Sequence, residues 1–285
     1  MSDTPHCYRH PGRETLVSCS ECGRPICEEC MTFAPVGIKC PEHAGVGAAR
    51  RPAQRAMQPT RQARSTIAGL EAPATVGLIA LNVLVYLITV YQGGGGVSQP
   101  GGELFGKGAL IGAQIYAQDE WYRLVTAMFL HASLLHIALN MVVLYWCGTI
   151  VERALGTWRF VLIYFVSGIA GSAGALLFSG PFAVTVGASG AIYGIFGALL
   201  ILEYRATGTF AGPALGLIVI NLALSFVIPN ISWGGHVGGL VGGTLATFAL
   251  LHFQYQRPRS LGPVLVGLIM VLSIVVAYVR VESYV

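Results

Sequence analysis

The chain has 285 residues, 54% of them hydrophobic and 11% charged, with a formal net charge of +4. An ordinary soluble domain carries about 25% charged residues. Residues 72–285 hold only eight Lys/Arg and six Asp/Glu, against nine and seven in residues 1–71. This excludes a soluble globular enzyme, and equally disorder, over three quarters of the chain. The small net charge gives no footing for a nucleic-acid partner.

Six of the seven cysteines lie within residues 7–40. The opening MSDTPHCYRHPGRE has no apolar run, so no secretory signal is expected and the thiols stay reduced. Cysteines this dense in a reducing compartment point to metal rather than disulfides. Four pairs share one spacing: Cys7-x2-His10, Cys19-x2-Cys22, Cys27-x2-Cys30 and Cys40-x2-His43. A two-residue gap lets both side chains of a pair reach one tetrahedral ion, so eight ligands suit two structural zinc ions. His6 competes with His10 as a ligand, and the spacing leaves the grouping of the pairs open. With few apolar residues in 1–45, metal has to supply the folding energy. A closed site has no open position for catalysis, so the module serves structure or an interaction with a protein partner.

Residues 46–72 read as a cytoplasmic linker with Arg50, Arg51, Arg55, Arg61 and Arg64, either solvated or lying on anionic lipid. Seven apolar segments follow, at 74–91, 125–147, 159–179, 187–203, 212–229, 234–253 and 263–281. Each approaches the roughly 20 helical residues that span the hydrocarbon of a bilayer. The runs are continuous rather than alternating, so an all-α polytopic membrane protein is expected, not a barrel. A long loop, 92–124, separates the first two segments and closes on Asp-Glu-Trp-Tyr-Arg, with Trp121 and Tyr122 as interfacial anchors and Arg123 at the headgroups. With the N-terminus in the cytoplasm, the inner loops hold the arginine linker, Arg153, Arg159, Arg205, Arg257 and Arg259. The outer side then keeps Lys107, Arg123 and Arg280, with the C-terminus outside.

Polar groups within such segments are costly and therefore functional suspects. His136 and Asn140 share a helix face, and His131 lies just before them. Ser189, between Gly187 and Gly190, follows a polar turn and sits near a helix N-terminus, where backbone N–H groups suit a developing oxyanion. His236 opens a helix whose Gly235, Gly239 and Gly243 permit close approach of a neighbour. In the expected orientation all three helices begin at the outer face. No Asp or Glu lies within 187–201 or 234–253, so any Ser–His pair lacks a carboxylate.

On Trp121-Tyr122-Arg123, His131…His136…Asn140, Gly187-Ala188-Ser189-Gly190 and Gly235-His236…Gly239…Gly243, the region 74–281 resembles the rhomboid intramembrane serine proteases. The family's tryptophan-arginine pair is tyrosine-arginine here, and the seventh segment matches its six-plus-one form. The resemblance implies Ser189 as nucleophile and His236 as general base. It implies His136, Asn140 and the Ser189 N–H at the oxyanion, Tyr193 under the histidine, and His131 in a positional role. Cys147 and His252 have no matching role. The implied activity is cleavage of transmembrane segments of membrane proteins near the outer face, with no catalytic cofactor. The alternatives are an inactive rhomboid-like scaffold that binds membrane proteins, or a transporter, for which the expected inverted repeats are absent. The expected location is a bacterial plasma membrane. Residues 1–45 resemble a B-box-type zinc finger, which implies interleaved pairs: Cys7, His10, Cys27 and Cys30 at one zinc, and Cys19, Cys22, Cys40 and His43 at the other. The expected organisation is thus a zinc module at 1–45, a linker at 46–72 and a membrane domain at 73–285.

Overall fold

The structure is a computed structural model and describes residues 4–33, 37–44, 71–97, 99–229, 231–255, 258 and 260–284. Most of the linker, with its five arginines, and Arg257 and Arg259 lie outside the described residues. The chain divides into two compact units, Met1–Thr66 and Ile67–Val285.

The first unit has one two-residue antiparallel pair, β1 (Thr32–Phe33) with β2 (Ile38–Lys39). Among its described residues the buried ones are Ile26 and the cysteines 7, 19, 27, 30 and 40. One isoleucine and five thiols make a small core, as the composition implies.

Every named element among the described residues of the second unit is helical. Helix α1 (Pro73–Gly93) opens on a proline, whose missing N–H costs nothing in a first turn, and closes on Gly94 in the left-handed region. The expected loop 92–124 instead contains two short helices, α2 (Gly102–Gly108) and α3 (Gly112–Gln118). Arg123 explains why. It is buried rather than at the headgroups, and donates to the carbonyls of Gly106 (2.9 Å) and Ala109 (2.6 Å) and to Glu120 (Nε to Oε2, 2.7 Å). One guanidinium thereby ties the C-terminal end of α2 to the start of α4 (Arg123–Thr126).

The second apolar segment also begins later than expected. Residues 123–129 form only α4 and a short 3-10 turn, Leu130 is extended, and α5 (Leu134–Leu155) starts nine residues after position 125. Ser133 decides the boundary by capping α5, its Oγ accepting from His136 N–H at 3.2 Å. Helix α5 widens to a π segment at Leu144–Gly148. Then come α6 (Thr157–Phe178), α7 (Ser189–Thr207), α8 (Pro213–Val227), α9 (Trp233–His252) and α10 (Leu261–Glu282). Among the described residues five helices, α1, α5, α6, α9 and α10, are long and apolar enough to cross a membrane. Of the other two expected spans, α8 has 15 residues, and α7 carries Glu203 and Arg205 in its last turns.

Small residues set the centre of the bundle. Helix α9 packs one glycine face, Gly234 and Gly238, on Gly174 and Ala170 of α6. Its other face, Gly239 and Gly243, lies on Gly190 and Gly194 of α7. Both faces repeat every four residues, and of the expected ladder Gly235 lies beside Gly171 of α6 while Gly239 and Gly243 meet α7. Backbones this close draw the N-terminal ends of α7 and α9 together.

Candidate active site and cysteine–histidine clusters

Ser189 is the first residue of α7, so its N–H is among those that a helix leaves without an internal partner. Gly187 just before it has φ 130°, a conformation closed to side chains. The His136 imidazole occupies the space a Cβ there would need, 2.9 Å away at Nε2. Gly187 N–H donates to Ala127 O at 2.9 Å, and Thr185 pairs with Leu110 through two 3.0 Å bonds, so the turn before Ser189 is held by backbone.

Helix α9 is capped by Ser232 and presents His236 in its first turn, 8% exposed. His236 Nε2 stands 2.8 Å from Ser189 Oγ. The Tyr193 ring stacks on the His236 imidazole, with centroids 4.1 Å apart and planes 14° from parallel. His236 Nδ1 meets Ser225 Oγ of α8 at 2.6 Å. Ser225 Oγ in turn donates to Asn221 O at 2.9 Å and lies 3.1 Å from Tyr193 Oη.

A cavity of about 640 Å³ is lined by Ser189, His236, His136, Asn140, Tyr193 and Ser225, among others. His136 Nδ1 accepts from Ala132 N–H at 3.4 Å, which leaves Nε2 as the atom facing Gly187. Asn140 directs one N–H to His136 O at 2.8 Å, within its own helix. His131 is fully buried behind His136, ring edge to ring face with centroids 5.1 Å apart, and does not line the cavity. Cys147 and His252 lie outside it as well.

The fold therefore gathers Ser189, His236, Tyr193, His136 and Asn140, which are spread over a hundred residues of sequence, at one cavity. Two members, Ser225 and Asn221, were not singled out from sequence. Their signal was available: two polar residues four apart in an otherwise apolar helix.

In the first unit, Cys7, His10, Cys27 and Cys30 form one cluster, and Cys19, Cys22, Cys40 and His43 a second, with all ligand atoms of each within 4.8 Å of one another. His6 is in neither. His10 Nδ1 lies 3.3 Å from Cys27 Sγ, 3.4 Å from Cys30 Sγ and 3.8 Å from Cys7 Sγ. In the second cluster His43 Nδ1 lies 3.1 Å from Cys40 Sγ, which is 3.8 Å from Cys22 Sγ. Tetrahedral zinc with bonds of about 2.0–2.3 Å sets its ligand atoms about 3.6–3.8 Å apart, so the donor sets fit such an ion. Burial opposes ionisation of Cys7 and Cys19, yet hydrogen bonds from backbone N–H groups outweigh it and lower both thiols to about 6. Burial raises Cys30 and Cys40 to about 11.

A family model described as the rhomboid domain matches residues 118–253. The chain is 36% identical over 207 residues to the rhomboid protease GluP of Bacillus subtilis, covering 70% of this chain and 38% of that protein. It is 35% identical over 145 residues to the putative rhomboid protease YdcA of the same organism, covering 50% of this chain and 73% of that one. With the rhomboid-type serine protease 2 of Emericella nidulans it shares 33% identity over 149 residues, 50% of this chain and 28% of the other.

Proposed function

The chain belongs to the rhomboid family of multi-pass membrane proteins, and on that premise we propose that it is an intramembrane serine endopeptidase acting on transmembrane segments of other proteins. The observation that carries the reading is the 2.8 Å contact of His236 Nε2 with Ser189 Oγ inside the cavity. In this reading Ser189 Oγ attacks the scissile carbonyl carbon while His236 Nε2 takes its proton. The tetrahedral oxygen faces the Ser189 N–H and His136, with Asn140 as the further donor. His236 then returns the proton to the leaving amine, and water enters the cavity to hydrolyse the acyl-enzyme. The stacked Tyr193 ring holds the imidazole in place.

Cleavage falls near the outer face. Ser189 and His236 lie in the first turns of α7 and α9, whereas Arg153, Arg159 and Arg205 lie at the opposite helix ends. Glu152 accepts from the N–H groups of Ala74 and Thr75, so the start of α1 shares the arginine side. Cationic ends favour the cytoplasm, which supports a cytoplasmic start of α1. Arg280 donates to Leu176 O at the far end of α6, which supports an outer position for the end of α10. A bacterial plasma membrane accords with the two Bacillus relatives.

The two cysteine–histidine clusters would each hold one zinc ion, which would supply folding energy rather than chemistry. The module they build is open to a protein partner. The deciding experiment uses the full chain in liposomes with a transmembrane reporter: cleavage by wild type and none by Ser189→Ala. Absence of cleavage by either across several reporters would favour an inactive scaffold.

A further inference from the structure

We propose that Ser225 is a positioning residue for the dyad: its hydroxyl accepts a hydrogen bond from His236 Nδ1–H and holds the imidazole in the tautomer whose Nε2 lone pair faces Ser189. This rests on the reading of Ser189 and His236 as nucleophile and base.

A base that takes the Ser189 proton at Nε2 must carry its own proton at Nδ1, and that N–H needs an acceptor. Where a triad provides a carboxylate, this site provides Ser225 Oγ at 2.6 Å. A hydroxyl has one hydrogen and two lone pairs. The Asn221 carbonyl, 2.9 Å away, can only accept, so it takes the hydrogen. Both lone pairs are then free for donors, and two stand in place: His236 Nδ1–H and, at 3.1 Å, Tyr193 O–H. Ser225 is 4% exposed, which limits the access of water to these partners. In this protonation pattern every partner of the hydroxyl is satisfied.

Tyr193 thus acts twice, through its ring on the imidazole face and through its O–H on the acceptor of the imidazole edge. A neutral acceptor orients the base and keeps its bond when His236 becomes positive, but it brings no countercharge. The contribution belongs to turnover, since the imidazolium forms only on attack. Hydrogen bonds to charged groups contribute about 1.5–3 kcal/mol, which corresponds to roughly tenfold to hundredfold in rate.

The test compares wild type, Ser225→Ala, Ser225→Thr and Ser189→Ala as full chains in liposomes, and adds nitrogen NMR of isotope-labelled histidine. Ser225→Ala should lower kcat about tenfold to hundredfold with KM unchanged, and the Nε2–H tautomer of His236 should gain population. Ser225→Thr, which keeps the hydroxyl, should restore most of kcat and the wild-type spectrum. If Ser225→Ala yields no folded protein, Ser225→Cys replaces it, keeping the size with a weak acceptor, and is assayed on the folded fraction. Wild-type kcat in the Ala or Cys variant, or a loss with the tautomer unmoved, overturns the proposal. Activity in Ser189→Ala overturns the dyad itself. An inactive Ser189→Ala beside a fully active Ser225→Ala overturns only the role of Ser225.

Discussion

At the residue scale the site is a chain of three contacts, Ser189 to His236 to Ser225, flanked by a stacked ring. Residues that act as a unit fail as a unit. Ser189→Ala and His236→Ala should each abolish cleavage, and the double variant should be no worse than either, as measured on an equal amount of folded protein. Additive losses would mean another nucleophile. His136→Ala should cut kcat by about 10²–10³ with an unchanged melting temperature if Nε2 serves the oxyanion. Asn140→Ala should cost less, because one of its N–H groups is already committed to His136 O. A lowered melting temperature with turnover preserved would return both to helix packing. These residues were legible because each is polar in an apolar run. Ser225 was equally polar but had no recognisable neighbours, and only the approach of α8 to α9 shows what it bonds.

A titration belongs at this scale too. Hydrogen bonds from Tyr122 and then Arg123 hold the Glu120 carboxyl below its ordinary 4.5. A depressed carboxyl contributes stability above its unfolded value and loses it as pH falls. Thermal stability of wild type relative to Glu120→Gln should therefore be constant above pH about 4.5 and shrink as the medium is acidified further. A difference that grows with acid would reject the brace.

At the scale of elements, two joints hold the frame. A Cβ at position 239 would overlap the Gly190 carbonyl, backbone against backbone. Gly239→Ala should therefore push α9 from α7, lower stability by about 1–3 kcal/mol, and lose activity as the Ser189–His236 distance opens. Unfolding in detergent and reporter cleavage would check both parts. Glu152 is the second joint. It is 2% exposed, and its carboxylate accepts from Ala74 N–H (3.0 Å), Thr75 N–H (2.8 Å), Thr75 Oγ1 (2.7 Å) and Thr157 Oγ1 (2.8 Å). Glu152→Ala would strand the two buried Thr75 donors, each worth about 1–3 kcal/mol, whereas Glu152→Gln keeps an acceptor and should be milder. Equal melting temperatures for the two would exclude this reading. Hydropathy located the helices but misplaced the start of α5, because residues 125–133 are as apolar as a span. The Ser133 cap, a local hydrogen bond, ends that ambiguity.

For the whole molecule, the two units draw on different sources of stability. The membrane unit buries several dozen apolar side chains, and the first unit chiefly one isoleucine among thiols. A peptide of residues 1–45 should bind two zinc ions and lose its structure on chelation. Elemental analysis near one zinc per chain, with none lost in Cys40→Ala, would reject two sites. Composition alone determined the all-helical membrane class, because burial in lipid demands long apolar runs and leaves charges only at their ends. Two-residue spacing likewise marked the four ligand pairs, since both members of a pair must reach one ion, and polarity within apolar runs marked Ser189 and His236. The tertiary structure alone decided that Arg123 is buried and that Ser225 reaches His236, and it groups the cysteine pairs where spacing left the grouping open. Those contacts join residues far apart in the chain, and their distances depend on how closely helices pack rather than on any local pattern.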